Sequence, residues 1–326
     1  MAMTLTAPAR RSTALTGLLA LAALAALGLA VRAPLATTVL GLLAFGIAHN
    51  VLELRYVVGR FGDVLTGRTL WLSLALVTGI VGCRLAGLAA PTPARYAEIA
   101  LGYGVLAVGV AAGARGGWRL GGWAVLAVGL ASSTAWPAYH FVILTHLHNL
   151  VPLAFLWDWS RRLPGRGMFR AAQLGWVLVI PGLILAGAAD GWLDGAASTV
   201  AAFAGDPARV LAVSAPPGQA ATTVGLRFLA VFAFLQTMHY VVWVGFLPRF
   251  APDVTAAFQR RVPGLSGWRP WALGVGAGAL LAVLLVTSYA DGRAAYSALA
   301  SYHAYLEFPV LLAMLRRSPS EKIEHS

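Results

Sequence analysis

The chain has 326 residues, of which 59% are hydrophobic and only 11% carry a charged side chain. Its mean hydropathy is +0.75. A chain this apolar is typical of polytopic membrane proteins, which excludes an ordinary soluble domain. The formal net charge of +12 does not indicate nucleic-acid binding, because the arginines fall mostly in short connectors between apolar stretches, where they meet lipid headgroups. The single cysteine, Cys83, excludes an internal disulfide and a cysteine-rich metal motif.

A membrane-spanning helix needs about 20 mostly apolar residues. Ten stretches of this kind follow one another, so we predict an all-α, polytopic helical bundle that forms a single transmembrane domain over 1–326. The predicted spans lie near residues 13–31, 35–58, 69–90, 96–114, 119–134, 137–159, 170–189, 223–247, 268–289 and 294–315.

The orientation follows from the arginines, which lie mostly on one side when the N-terminus is placed inside. We therefore expect both termini in the cytoplasm, an extracytoplasmic loop over 190–222 and a cytoplasmic tail over 316–326. The expected location is the bacterial cytoplasmic membrane. Arg10 and Arg11 before a Leu/Ala run also resemble a secretory signal peptide, and its removal would leave nine spans.

Histidines and carboxylates inside apolar spans are costly unless they are paired, bind a metal or face water, so they are candidates for function. The second, sixth, eighth and tenth predicted spans carry six of the seven histidines, and all four enter from the outer side. The depths of five of them, His49, His146, His148, His239 and His303, differ by only roughly 10 Å, so the four helices can bring these five to one layer. The predicted metal-ligating residues are His49, Glu53, His140, His146, His148, His239, His303 and Glu307.

Two of these histidines stand four residues before a glutamate: His49 before Glu53, and His303 before Glu307. Residues four apart project to the same face of a helix, so each pair is a ready two-ligand half-site.

The sixth span holds three histidines that cannot all face one point. His146 and His148 point about 200° apart on a helix. We favour His148, because Pro152 removes the hydrogen bond to its carbonyl and kinks the helix. His140 is expected at the mouth, as a ligand or as a hydrogen-bonding partner of one.

Imidazole and carboxylate ligands without thiolate suit non-haem iron, zinc, copper or manganese, and the spacing does not decide between one metal and two. A redox metal in a bundle core is accessible to O2 and to lipophilic molecules. We therefore predict a metal-dependent oxidoreductase of the oxygenase, hydroxylase or desaturase type, with non-haem iron as its cofactor and a lipid or isoprenoid as its substrate. The alternatives are a divalent metal-ion transporter, a haem-binding electron-transfer protein and a zinc-dependent lipid hydrolase.

The segment Phe45–Asn50, with a single histidine after a Gly-apolar-small run, resembles an early motif of the bacterial Brp/Blh membrane β-carotene dioxygenases. The plan of isolated histidines on several spans is similar as well. This resemblance implies a histidine-bound non-haem iron that cleaves a carotenoid, with His49 as one ligand.

Overall fold

The computed structural model describes residues 7–114, 116–193, 200 and 207–316. Every regular element in this part of the chain is helical, which confirms the all-α prediction. Apart from short 3-10 turns, the described residues form twelve helices: α1 (Ala7–Arg32), α2 (Pro34–Phe61), α3 (Gly67–Ala86), α4 (Pro91–Gly113), α5 (Gly117–Ala135), α6 (Pro137–Trp159), α7 (Arg166–Leu185), α8 (Pro207–Ser214), α9 (Thr223–Phe250), α10 (Pro252–Arg261), α11 (Arg269–Thr287) and α12 (Tyr289–Arg316).

Eight of these helices, α1 to α4, α6, α7, α9 and α11, are long and apolar enough to cross a membrane. This composition marks the chain as a membrane protein. The other two predicted spans correspond to α5 and α12, which are helices as well but are not among these eight within the described residues. The helix α12 carries Asp291, Arg293, His303 and Glu307. A count of ten spans with both ends in the cytoplasm stays a prediction.

The predicted 190–222 loop is described only in part. Its described residues include a 3-10 turn, Asp190–Trp192, and the short helix α8. Residues 194–199 and 201–206, and the tail residues 317–326, lie outside the described residues.

Proline marks the start of many of these helices. Pro34, Pro91, Pro137 and Pro252 are each the first residue of a helix, where a missing N–H costs no hydrogen bond and the fixed φ favours the helix. The helices α6 and α12 instead continue through an internal proline.

The described residues form two compact units. The first unit takes the residues up to Gly46 together with Phe141–Ala251. Within it α1 packs against α7 and α9. The face of α1 that packs is a row of buried apolar side chains with helical spacing, among them Leu15, Leu19 and Ala23.

The second unit takes Ile47–His140 together with the residues from Pro252 onward. Its centre is a trio of mutually packed helices, α3, α4 and α12, with α11 beside α12 and α5 beside α4. Glycine permits the close approach of α11 to α2, since a Cβ on Gly274 would lie 3.0 Å from the Ala48 Cα atom.

Candidate metal centre

His49 and His303 meet in the second unit. Their ring centroids lie 4.9 Å apart and the ring planes stand at 90°. Each ring is buried, with 1% of the residue exposed. Each histidine is the first residue of a row of buried side chains spaced three or four residues apart, so it lies on the buried face of its helix.

On α2 this stripe runs through His49, Leu52, Glu53 and Tyr56, all of them buried. On α12 the matching stripe is His303, Leu306, Glu307 and Val310, again buried throughout. The spacing of three, four and seven residues is that of one helix face. The glutamates therefore share the face of their histidines, as the sequence predicts.

A second pair of histidines meets within the first unit. The rings of His148 and His239 lie 4.8 Å apart between centroids, with 48° between their planes. Trp243 and Tyr240 flank His239 at 6.3 and 6.0 Å. Two residues after His239, α9 widens into a π-helical segment, Val241–Phe246. Such segments inside α-helices occur frequently at functional sites.

Four histidines, His49, His148, His239 and His303, each offer a ring nitrogen within 4.8 Å of the others, a grouping that can hold a metal ion. The donor set is all imidazole, which suits iron, zinc, copper and nickel.

Glu53 and Glu307 are also buried, with 0% and 1% of each residue exposed. The structure thus places both predicted carboxylates one helical turn from His49 and His303, while the four-nitrogen group itself is made of histidines.

His140 lies elsewhere in the structure. Its Nδ1 atom is 2.9 Å from the Ser133 hydroxyl oxygen, which in turn lies 2.9 Å from the Tyr103 hydroxyl. The predicted position at the mouth of α6 agrees with its place in the first turn of that helix. It is not among the four grouped histidines.

His146 also points away from this group. Its Nε2 atom donates to the backbone carbonyl of Ser214, 2.8 Å away at the end of α8. Phe228 and Phe232 pack edge-on against the ring. The choice of His148 over His146 as a ligand thus agrees with the structure, because the two rings point in different directions.

The sequence analysis does not predict a partly buried ion pair between α3 and α4. Arg84 donates from Nε and Nη2 to the Glu98 carboxylate at 2.9 and 2.7 Å. The Tyr305 hydroxyl donates to the same carboxylate oxygen at 3.4 Å. The signal was present in the sequence, since Arg84 and Glu98 are charges inside two adjacent predicted spans, where a charge needs a partner.

The chain matches no protein-family model, no curated protein and no solved structure.

Proposed function

We propose that this protein is a membrane-embedded, metal-dependent oxidoreductase that acts on a lipophilic substrate. The observation that carries the proposal is the group of four histidine nitrogens within 4.8 Å of one another. Three of the four residues, His49, His239 and His303, have 1% of their surface exposed. A group of imidazoles, three of them buried, is costly inside a membrane protein unless the rings are paired or bind a metal.

The burial of these rings favours a resident metal over a transported one. A transporter needs a hydrated path to both faces and polar groups along it. The stripes that carry His49 and His303 are closed to solvent, since their leucine and valine side chains and also Glu53 and Glu307 are buried. This surrounding is suited to a dry catalytic cavity.

The geometry also disfavours the haem alternative. Haem iron takes its four equatorial ligands from the porphyrin and leaves only two positions for the protein. Four histidine nitrogens this close to one another occupy the space that the macrocycle needs. We therefore propose non-haem iron, held by His49, His148, His239 and His303.

Bound iron would supply open coordination positions for O2 and the electrons that activate it. The chain's own part is to hold four imidazoles in place and to exclude water. Glu53 and Glu307 serve as orienting groups, since a ligating imidazole usually gives its other N–H to a carboxylate or carbonyl.

The proposed substrate class follows from the position of the site inside a membrane protein. A lipophile reaches a buried site laterally from the bilayer. Cleavage of a carbon–carbon double bond by O2 places one oxygen atom in each carbonyl product, so it balances without an external electron donor. A polyene, as the Brp/Blh resemblance implies, is therefore the first substrate we propose, ahead of lipids that would need a hydroxylase with a reductant.

The test is turnover under isotopically labelled oxygen. Detergent-purified, iron-loaded protein would be incubated with β-carotene, and separately with a total lipid extract, under 18O2. The proposal expects 18O-labelled aldehyde or hydroxylated products that the His239→Gln variant does not form. Unlabelled products, or equal products from that variant, would overturn it.

A further inference from the structure

We propose that the start of α7 is a binding site for the phosphate of an anionic phospholipid. The segment 157–170, which ends α6 and begins α7, holds Arg161, Arg162, Arg166 and Arg170 but only one acidic residue, Asp158. The Asp158 carboxylate lies 3.6 Å from the Arg161 guanidinium, so four arginines and one aspartate leave this segment with a net charge of +3.

Arg170 is held in place before any ligand arrives. Its Nε atom donates to the Ser160 hydroxyl at 2.9 Å and its Nη2 atom to the Trp157 carbonyl at 3.1 Å. The guanidinium also stacks over the Trp157 ring, 4.4 Å from the centroid. These contacts use two of its five N–H donors and leave its charge uncancelled, because the partners are neutral.

Arg166 is exposed and lies one turn before Arg170, so both project from the same face of α7. The helix begins there without a side-chain cap, after Gly165 with φ of 68°. The first turn of α7 therefore adds the partial positive charge of a helix N-terminus to the two guanidinium groups.

The residue that follows Arg166 and Arg170 on the same face of α7 is apolar. Leu174 follows Arg170 by one turn and is 40% exposed, and Leu178 beyond it is 61% exposed. Two cations followed by exposed leucines along one helix match an amphiphile whose phosphate sits at the helix start and whose acyl chain runs along it. A free phosphate ion would use only the cations. We therefore assign the site to a lipid with a phosphodiester headgroup and net negative charge.

The experiment is native mass spectrometry of the full chain in detergent, titrated with phosphatidylglycerol or with phosphatidylcholine. We expect phosphatidylglycerol to bind more tightly than phosphatidylcholine. The Arg166→Gln/Arg170→Gln variant should weaken phosphatidylglycerol binding by about 25-fold, at about fivefold for each arginine removed. The matched control is Arg32→Gln/Arg119→Gln, which removes two exposed arginines from other helix ends and should leave the affinity unchanged.

Three results would overturn the assignment. Equal affinity for phosphatidylglycerol and phosphatidylcholine would show that the site does not recognise the net charge of the headgroup. An equal loss in the control variant would show a general charge effect. Displacement of phosphatidylglycerol by millimolar inorganic phosphate would show a free-anion site. Should the double variant not fold, the single variants Arg166→Gln and Arg119→Gln are compared instead. Arg166→Gln should lower the affinity for phosphatidylglycerol by about fivefold, and Arg119→Gln should leave it unchanged.

Discussion

The rings of His49 and His303 stand perpendicular, with their centroids 4.9 Å apart. Two imidazoles in this arrangement can direct a nitrogen from each ring to one point without stacking on each other. Each ring also begins a buried stripe that reaches a glutamate one turn later. This pair therefore links a sequence pattern, histidine four residues before glutamate, to a place where a metal can bind.

The ion pair of Arg84 and Glu98 should make a large contribution to stability, because Glu98 is only 6% exposed. Removing one member of a buried pair leaves the other charge unpaired, at a cost of about 3 to 5 kcal/mol. The Arg84 side chain is 23% exposed, so we expect Glu98→Leu to lower the free energy of unfolding by less than this, about 1 to 3 kcal/mol, in a detergent denaturation assay. The double variant Arg84→Met/Glu98→Leu should recover most of the loss.

Thr78→Val is the control for this experiment. It removes the 3.0 Å hydrogen bond between the hydroxyls of Thr78 and Tyr302, which also joins α3 to α12. This bond is exposed, so its loss should cost less than about 1 kcal/mol. A Glu98→Leu effect no larger than that of Thr78→Val would show that the ion pair is not important for stability.

The packing of α11 on α2 can be tested through two glycines of the same helix. A Cβ on Gly274 would lie 3.0 Å from the Ala48 Cα atom, whereas Gly276 has no atom within 4 Å of such a Cβ. Gly274→Ala should therefore destabilise the protein by about 1 to 3 kcal/mol through overpacking. Gly276→Ala should be neutral or slightly stabilising, since alanine favours the helix. Thermal unfolding of both variants measures the difference, and equal behaviour would contradict the close approach.

The pair of Asp190 and Arg227 gives a pH-dependent prediction. The Arg227 guanidinium, which donates from Nε to Asp190 Oδ1 at 2.8 Å, lowers the pKa of the Asp190 carboxyl below its ordinary value. A carboxyl whose pKa is lowered by folding stabilises the folded state above its ordinary pKa and loses this effect as the pH falls through the lowered value.

The melting temperature of the wild type should thus exceed that of Asp190→Asn at pH 7, and the difference should shrink steadily below about pH 4. Arg227→Gln should lack the same pH-dependent component. A difference between wild type and Asp190→Asn that stays constant as the pH falls well below the ordinary pKa of an aspartate would contradict the assignment.

The sequence predicted which site residues share a helix face, but it did not predict which way each helix face points. Helical spacing placed His49 with Glu53 and His303 with Glu307 on shared faces, and it separated His146 from His148. Depth along the helix did not reveal the rotation of each helix about its axis. For that reason His140 and His146 were included among the predicted ligands, whereas the structure gives their rings Ser133 and Ser214 as partners.

Other features depend on interactions between residues that are distant in sequence. Apolar runs marked all ten helical stretches, because a helix packed against lipid or other helices is apolar over a continuous stretch of the sequence. The π-helical segment after His239 leaves no comparable pattern, since its hydrogen bonds depend on packing in the first unit. Arg84 and Glu98 are 14 residues apart on two helices, so only their unusual position inside apolar spans could indicate the pair.

Metal content measured by mass spectrometry shows whether the four histidines hold one metal ion. Purified wild type, His239→Gln, His303→Gln and His146→Gln would be loaded with iron under the same conditions and freed of excess metal. His146 is the matched control, because it is a histidine of α6 whose ring binds Ser214 instead. We predict one iron per chain, without a Soret band, in wild type and His146→Gln, and a loss of at least about tenfold in metal affinity in the other two. Full iron occupancy in His239→Gln and His303→Gln, or an equal loss in His146→Gln, would contradict the four-histidine site.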